Sequence, residues 1–183
     1  DENRDNCDAL FIFINSILIT YSEENHIFFE IVSSADIDWV CFMNHLMNKT
    51  YFNPTPDNRQ IRIILNNNQD ITLTAPYQEK RATITVRSFT PPDKMFRIMK
   101  YSRREVLVSG DQSWAEALSL NKIIFYQSQP WKFSLCKNII ELARMVIGPG
   151  HTLLRFYDIV YDVCTRSNLW PIFSEIKELL LSS

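Results

Sequence analysis

The sequence predicts an α/β protein built on a doubly wound, mainly parallel sheet, and three observations lead to this prediction. Short apolar runs typical of strands alternate with amphipathic helical patterns from about residue 82 onwards. The runs Val106–Val108 and Ile123–Phe125 are entirely apolar, as expected of strands buried on both faces. A helical pattern separates these runs, so we expect two parallel, adjacent strands at the centre of a Rossmann-like sheet.

The remaining elements follow from local patterns. The apolar run at 9–20 is compatible with a helix or a strand, because periodicity does not separate the two in so short a run. The run HIFFEIV at 26–32 is typical of a buried strand, and Pro91 after Thr90 predicts a helix start. In chain order the pattern predicts a strand at 26–32, a helix from Trp39, strands at 61–65, 71–75 and 82–89, a helix that starts at Pro91, a strand at 105–110, a helix at 113–121, a strand at 122–127, a helix at 131–147, and C-terminal helices at about 153–165 and 172–181.

Composition limits the class of protein. A chain of 183 residues with 46% hydrophobic residues is long and apolar enough for one well-buried domain. The formal net charge of -2 argues against a general nucleic-acid binder, which is usually basic. We therefore expect no nucleic-acid partner.

The beginning of the chain gives the predicted domain boundary. We expect residues 1–25 to be a leading segment from a preceding domain and residues 26–183 to form the Rossmann-like domain. The acidic opening DENRDNCD lacks the basic region of a signal peptide, and it suggests a chain cut from a longer protein. The apolar run at 9–20 is shorter than the ~20 residues of a transmembrane helix, so we expect no membrane-spanning segment.

The cysteines and histidines predict neither a disulfide framework nor a metal site. The four cysteines lie far apart in the sequence and form no C-x-x-C pair. The three histidines have no neighbouring residues at metal-ligand spacing. We expect reduced thiols, no bound metal and an intracellular protein. The cysteines are Cys7, Cys41, Cys136 and Cys164.

The stretch SGDQS, at the end of the strand predicted to finish at Ser109, is the main candidate site. A helix N-terminus attracts phosphate, Gly110 permits a tight turn and close backbone approach, and Ser113 offers a hydroxyl. The negative charge of Asp111 opposes an anion unless it points away, pairs with a base or binds a cation. The pattern Ser113-x-x-Glu116 also fits a capping box, which needs no ligand. Both interpretations stay open at this point, and the loop after the strand at 26–32, VSSADID, is a second candidate.

The unit EVLVSGDQSWAEALSLNKIIFYQ resembles the C-terminal, nucleotide-sugar-binding domain of GT-B glycosyltransferases, including bacterial protein-glycosylating enzymes. The resemblance covers about residues 82–147 and implies half of a GT-B architecture followed by C-terminal helices. It implies that Ser113 contacts the diphosphate and that Glu116 accepts hydrogen bonds from the ribose. Gly110, Asp111 and Gln112 complete the loop, and Tyr126 is a candidate to stack on base or sugar, as is Trp131; core packing is an equal alternative for both.

The function implied by this resemblance is donor binding in a glycosyltransferase. The donor is a nucleotide diphosphate sugar, no cofactor is implied, and catalytic residues are not identified. The acceptor, a protein or glycan, is expected to bind an N-terminal half that this chain lacks. A non-catalytic interaction module of a bacterial effector, delivered into a host cytoplasm, is the alternative. An unrelated α/β protein that binds a phosphorylated small molecule is the third.

Overall fold

The computed structural model describes residues 2–21, 23–24, 26–33, 39, 42, 59–64, 70–74, 80–127, 132–162 and 170–182. These residues form a mixed α/β structure. Its elements in chain order are α1 (Glu2–Thr20), β1 (His26–Val32), β2 (Arg59–Ile64), β3 (Asp70–Thr74), β4 (Lys80–Arg87), α2 (Pro92–Tyr101), β5 (Glu105–Val108), α3 (Asp111–Ser119), β6 (Ile123–Tyr126), α4 (Phe133–Ile147), α5 (Thr152–Asp162) and α6 (Trp170–Ser182).

The chain divides into two compact units. The first comprises Asp1–Thr20 and Phe96–Ser183, and the second comprises Tyr21–Met95. The first contains the two-stranded sheet β5-β6, and the second contains the four-stranded sheet β1-β4-β2-β3. The predicted division into residues 1–25 and 26–183 stays a prediction.

The sheet of the first unit confirms the predicted pairing of the two most apolar strands. β5 and β6 are adjacent and parallel, with Glu105 opposite Ile123 and Val108 opposite Tyr126. Side chains of the two strands, of α2 and of α3 form a buried cluster on one face of this sheet, because alternate residues of a strand point to the same side. The cluster consists of Met99, Val106, Val108, Ala117 and Ile124.

The apolar run at 9–20, which the sequence left open between helix and strand, is part of helix α1. It packs against α6 and against both strands of the two-stranded sheet. The ring of Phe13 meets the ring of Phe125 edge to face at 5.1 Å, and Phe125 meets Phe156 of α5 in the same way at 5.1 Å. Leu10, Ile14 and Leu18 are each at most 5% exposed. A helical segment that is apolar on nearly all sides, as residues 9–20 are, is expected to be enclosed in this manner.

The second unit contains the predicted strands of the first half of the chain. β4 pairs in parallel with both β1 and β2, and β2 pairs antiparallel with β3. The antiparallel pair confirms strands on either side of the asparagine-rich stretch. In β1 the side chains of Ile27 and Phe29 are buried, whereas those of His26, Phe28 and Glu30 are exposed.

A single doubly wound sheet is not confirmed, since the described strands form two sheets, one of them with an antiparallel pair. The predicted buried strand at residues 26–32 is present, but only one of its faces is buried. Phe28 is 73% exposed, and its ring stacks on that of His26 at 4.0 Å. Alternating burial is typical of a sheet that is packed on one face only.

Several predictions fall on residues outside the described part of the chain. They concern the VSSADID loop from residue 34 onwards, most of the helix predicted from Trp39, and Trp131. The side chains of the four cysteines also lie outside it, so their reduced state stays a prediction. Among the helices that are described, none has the length and apolar character needed to cross a bilayer.

Candidate functional site

The SGDQS stretch lies at the carboxyl end of β5 and begins helix α3. Gly110 is the residue before the first helical turn, with φ −108° and ψ 150°, and its carbonyl oxygen accepts the N–H of Trp114 at 2.9 Å. Asp111, Gln112 and Ser113 therefore form the first turn. The N–H groups of a first turn have no acceptor within the helix and carry the positive end of the helix dipole.

Asp111 is held by two side chains from the neighbouring strand and the helix that follows it. Its Oδ1 atom accepts a hydrogen bond from the Lys132 ammonium at 2.8 Å and from the Tyr126 hydroxyl at 3.1 Å. Tyr126 is the last residue of β6, and Lys132 directly precedes α4. Because β5 and β6 are parallel, their carboxyl ends meet at one edge, which brings these three residues together.

The charge of Asp111 is therefore paired with a base, one of the arrangements under which the loop tolerates an anion. The hydrogen bond from Lys132, and after it the one from Tyr126, lowers the pKa of Asp111 below its ordinary value. Asp111 remains largely exposed, at 59%, and the Lys132 side chain is 25% exposed. The pair is thus accessible to water and to a ligand.

The predicted capping box is not formed. The helix begins at Asp111, three residues earlier than a box with Ser113 as the N-cap requires, so that Ser113 lies inside the first turn. No side chain caps the helix at Gly110, and Glu116 Oε1 instead accepts a hydrogen bond from Gln112 Nε2 at 2.9 Å. Asp111 in the first turn complements the helix dipole, which is the electrostatic task that a cap carboxylate would perform.

The backbone at position 110 does not need a glycine for a tight turn. Its φ and ψ lie in the extended region that all residues adopt. A Cβ built on Gly110 would meet the Ser113 hydroxyl oxygen at 3.8 Å, an ordinary contact. The glycine therefore leaves room beside Ser113 rather than permitting a special turn.

The structure brings the predicted site residues into one region of the first unit. Gly110, Asp111, Gln112, Ser113 and Glu116 lie at the start of α3. The hydroxyl of Tyr126 donates a hydrogen bond to Asp111, so Tyr126 contacts this region. This contact does not depend on whether the Tyr126 ring stacks on a ligand.

Lys132 is the residue of this region that the sequence did not single out. The signal that could have found it is its position, six residues after Tyr126, at the carboxyl end of the strand neighbouring β5. Loops at that edge converge in parallel sheets. A lysine there was a candidate base for Asp111.

A metal centre is not seen in the described part of the chain, where no three His, Cys, Asp or Glu side chains are grouped to hold an ion. Comparison with known proteins adds no family to this description. No protein-family model matches the chain, and neither a curated protein nor a solved structure is detectably similar to it.

Proposed function

We propose that the first unit binds the diphosphate of a nucleotide sugar at the N-terminus of α3. The observation that carries this proposal is the meeting of Asp111, Tyr126 and Lys132 at the carboxyl ends of two parallel strands. Ligands of open α/β sheets bind at this edge. Because Lys132 balances the charge of Asp111, an incoming phosphate does not face an uncompensated carboxylate.

The phosphate contacts would come from three sources. The N–H groups of the first turn supply donors and a partial positive charge. Ser113 supplies a hydroxyl, and Gly110 leaves the space beside it open. The Lys132 ammonium has three N–H donors, of which Asp111 accepts one, so a phosphate oxygen can accept another.

The nucleoside contacts would come from Glu116 and Tyr126. Glu116 accepts hydrogen bonds from the ribose hydroxyls in this proposal, and the ribose displaces the Gln112 amide that is bound to it. The Tyr126 ring offers a face to base or sugar while its hydroxyl stays on Asp111.

In this proposal β5, α3 and β6 are part of a Rossmann-like domain of a GT-B glycosyltransferase, and the chain is a part of a larger bacterial protein. In the reaction, an acceptor oxygen or nitrogen forms a bond to the anomeric carbon, and the O–H or N–H bond of the acceptor breaks, so that its proton passes to water. The bond from that carbon to the diphosphate oxygen breaks, and the diphosphate leaves with the electron pair. The helix N-terminus and Ser113 stabilise the charge on this leaving group. The acceptor, a protein or glycan, binds outside this chain.

A thermal-shift screen of the whole chain tests the proposal. A ligand that binds only the folded state raises the melting temperature by mass action. We expect a shift with UDP, GDP or dTDP or with their sugars. Ser113→Ala is expected to weaken binding about 10- to 150-fold, because a hydrogen bond to a charged group contributes ~1.5–3 kcal/mol.

Ser119→Ala is the matched control. Its hydroxyl lies at the other end of the same helix, where it donates to the Glu116 carbonyl at 2.7 Å. We expect this variant to bind as the wild type does. If no nucleotide or nucleotide sugar shifts the wild-type melting temperature, the donor-binding proposal is wrong.

A second candidate function is a non-catalytic interaction module, and the position of Asp111 favours it. A carboxylate in the first turn already complements the helix dipole, and it is itself neutralised by Lys132. The charges of the loop are then balanced without a ligand. On this alternative no nucleotide binds, and Ser113→Ala changes stability only slightly.

A further inference from the structure

The solvent-facing side of helix α2 carries a row of positive charges. Lys94, Arg97 and Lys100 are exposed and lie three residues apart, so they project from one side of the helix. Tyr101, the last residue of α2, lies on the same side and is 78% exposed. These four residues, Lys94, Arg97, Lys100 and Tyr101, are called the α2 basic face.

The positive charges of the α2 basic face are not paired with carboxylates in the described part of the chain. No ion pair joins Lys94, Arg97 or Lys100 to an acidic side chain there. Asp93 is the single acidic residue of α2, and it lies in the first turn, where it complements the helix dipole. The ammonium of Lys100 lies 5.8 Å from the centre of the Tyr101 ring. The exposed side of α2 therefore presents a net positive charge to solvent.

The other side of α2 holds the helix in place. Met99 is 3% exposed and belongs to the buried cluster of the first unit. The Lys122 ammonium donates to the carbonyl oxygen of Ser102, directly after the helix, at 2.8 Å. Because these contacts fix the last turn, Lys100 and Tyr101 are held on the exposed side before any partner binds. Such preorganisation lowers the entropic cost of binding.

We propose that the α2 basic face binds the surface of an anionic lipid membrane. Each Lys or Arg next to an anionic bilayer strengthens binding roughly fivefold, and tyrosine is favoured at the depth of the lipid headgroups. The contact needs no pocket, because a helix lying parallel to a flat surface brings its exposed side against that surface. Three cations predict about 100-fold stronger binding to an anionic than to a neutral bilayer.

A nucleic acid fits the α2 basic face less well than a membrane does. Proteins that bind single strands combine a positively charged groove with aromatic side chains on which successive bases stack. The α2 basic face follows the convex side of one helix, and Tyr101 is its one aromatic residue. The formal net charge of -2 also argues against a polyanion that extends beyond this face.

The α2 basic face and the proposed nucleotide site lie at opposite ends of β5. Helix α2 ends shortly before β5 begins, whereas Asp111 follows the carboxyl end of that strand. The two sites share no residue, so this inference is independent of the proposed function.

Sedimentation with vesicles tests the proposal. The whole chain is mixed with vesicles of phosphatidylcholine alone or of phosphatidylcholine and phosphatidylglycerol in equal amounts. We expect the chain to sediment with the anionic vesicles and to be released at about 1 M salt, where the screening length falls to about 3 Å. Arg97→Glu and Lys100→Glu should each weaken binding about 25-fold, because each removes an attractive charge and adds a repulsive one.

Lys137→Glu is the matched control, because Lys137 is exposed on α4 and the substitution changes the net charge equally. This variant should bind anionic vesicles as the wild type does. Tyr101→Ala should bind more weakly, whereas Tyr101→Trp should bind as the wild type does, since tryptophan is also favoured at the headgroups. Thermal melts of each variant show that it is folded.

The proposal is overturned if the wild type does not sediment with anionic vesicles at low salt or binds neutral vesicles equally well. Equal loss of binding in Arg97→Glu and Lys137→Glu overturns it too, because the attraction would then depend on net charge alone. Fluorescence anisotropy with a labelled single-stranded DNA tests the other anion. Binding of this DNA that is lost in Arg97→Glu, without binding of vesicles, would assign the α2 basic face to a nucleic acid instead.

Discussion

The ammonium nitrogen of Lys132 lies 2.8 Å from Oδ1 of Asp111 across the carboxyl edge of the two-stranded sheet. This contact joins the start of α3 to the start of α4, and the Tyr126 hydroxyl adds the end of β6. The charge that opposes an anion at the α3 N-terminus is thus compensated by a base that can itself contact phosphate. The local electrostatics of this edge therefore depend on one carboxylate.

Lys132→Met should raise the pKa of Asp111 towards 3.8, the ordinary value for an aspartate. The lysine hydrogen bond is the largest cause of the lowered pKa, and the tyrosine hydrogen bond is the second. Carbon-13 NMR titration of the carboxyl group measures this directly. Tyr126→Phe should produce a smaller rise, and Lys137→Met, on α4 but away from the site, should produce none.

The same contact predicts the sign of a pH effect on stability. Because the folded-state pKa of Asp111 is lowered, its stabilising contribution is fully present above about 3.8 and is lost as the pH falls through the folded value. Denaturation of wild type and Lys132→Met should therefore differ most above that pH. A difference that grows on acidification would contradict the assignment of the shift to Lys132.

Gly110→Ser should stabilise the first unit by a few tenths of a kcal/mol, up to ~1. The backbone at Gly110 is extended, the new Cβ meets the Ser113 oxygen at 3.8 Å, and the added hydroxyl can cap α3. Urea denaturation measures the gain. If a diphosphate uses the space beside Ser113, the same variant should bind nucleotide more weakly although it is more stable. A loss of stability would show that the glycine is required by the fold.

Parts of the fold were predictable because their patterns are local and unambiguous. The strands β5 and β6 are short and wholly apolar, with a helical pattern between them, and their parallel pairing follows from that order. The run HIFFEIV at 26–32 did not reveal that one face of β1 is exposed. Phe28 is apolar although it is exposed, so the sequence does not show the alternation of buried and exposed residues in β1. The separation of the strands into two sheets depends on contacts between distant residues, which a local pattern does not carry.

The position of the candidate site in the fold could be predicted from the sequence, whereas only some of its side-chain contacts could. The stretch Gly110–Ser113 lies at a strand's carboxyl end, as expected. The partner of Asp111 was missed because Lys132 is 21 residues away and no local spacing joins the two. The predicted capping box at Ser113 and Glu116 is not formed, because the helix starts earlier. A carboxylate in the first turn competes with a box that starts later, and the sequence contains both.

Lys122→Met should lower the free energy of unfolding by about 0.5–1.5 kcal/mol, the usual net contribution of an intramolecular hydrogen bond. The Lys122 ammonium donates to the carbonyl oxygens of Ser102 at 2.8 Å and Arg103 at 2.9 Å, just after α2 ends. A cation there also complements the negative end of the helix dipole.

The control for that variant is Lys94→Met, because Lys94 is an exposed residue near the start of α2. We expect Lys94→Met to change stability by less than about 0.5 kcal/mol, as is usual for surface positions. Chemical denaturation at neutral pH gives both values. Equal effects of the two substitutions would mean that the carbonyl contacts of Lys122 contribute nothing measurable.

Ser16→Ala in α1 should stabilise the protein by about 1 kcal/mol. Ser16 is fully buried, and within the described part of the chain its hydroxyl oxygen has no hydrogen-bond partner. A buried hydroxyl without a partner costs about 1–3 kcal/mol, and alanine is also the better helix former. Ile14 is equally buried, and its side chain is apolar. Ile14→Ala should instead lower the free energy of unfolding by about 2–5 kcal/mol, because it leaves a cavity. Thermal and urea denaturation of the two variants should therefore move in opposite directions, and a destabilised Ser16→Ala would show that the hydroxyl is hydrogen-bonded in the folded protein.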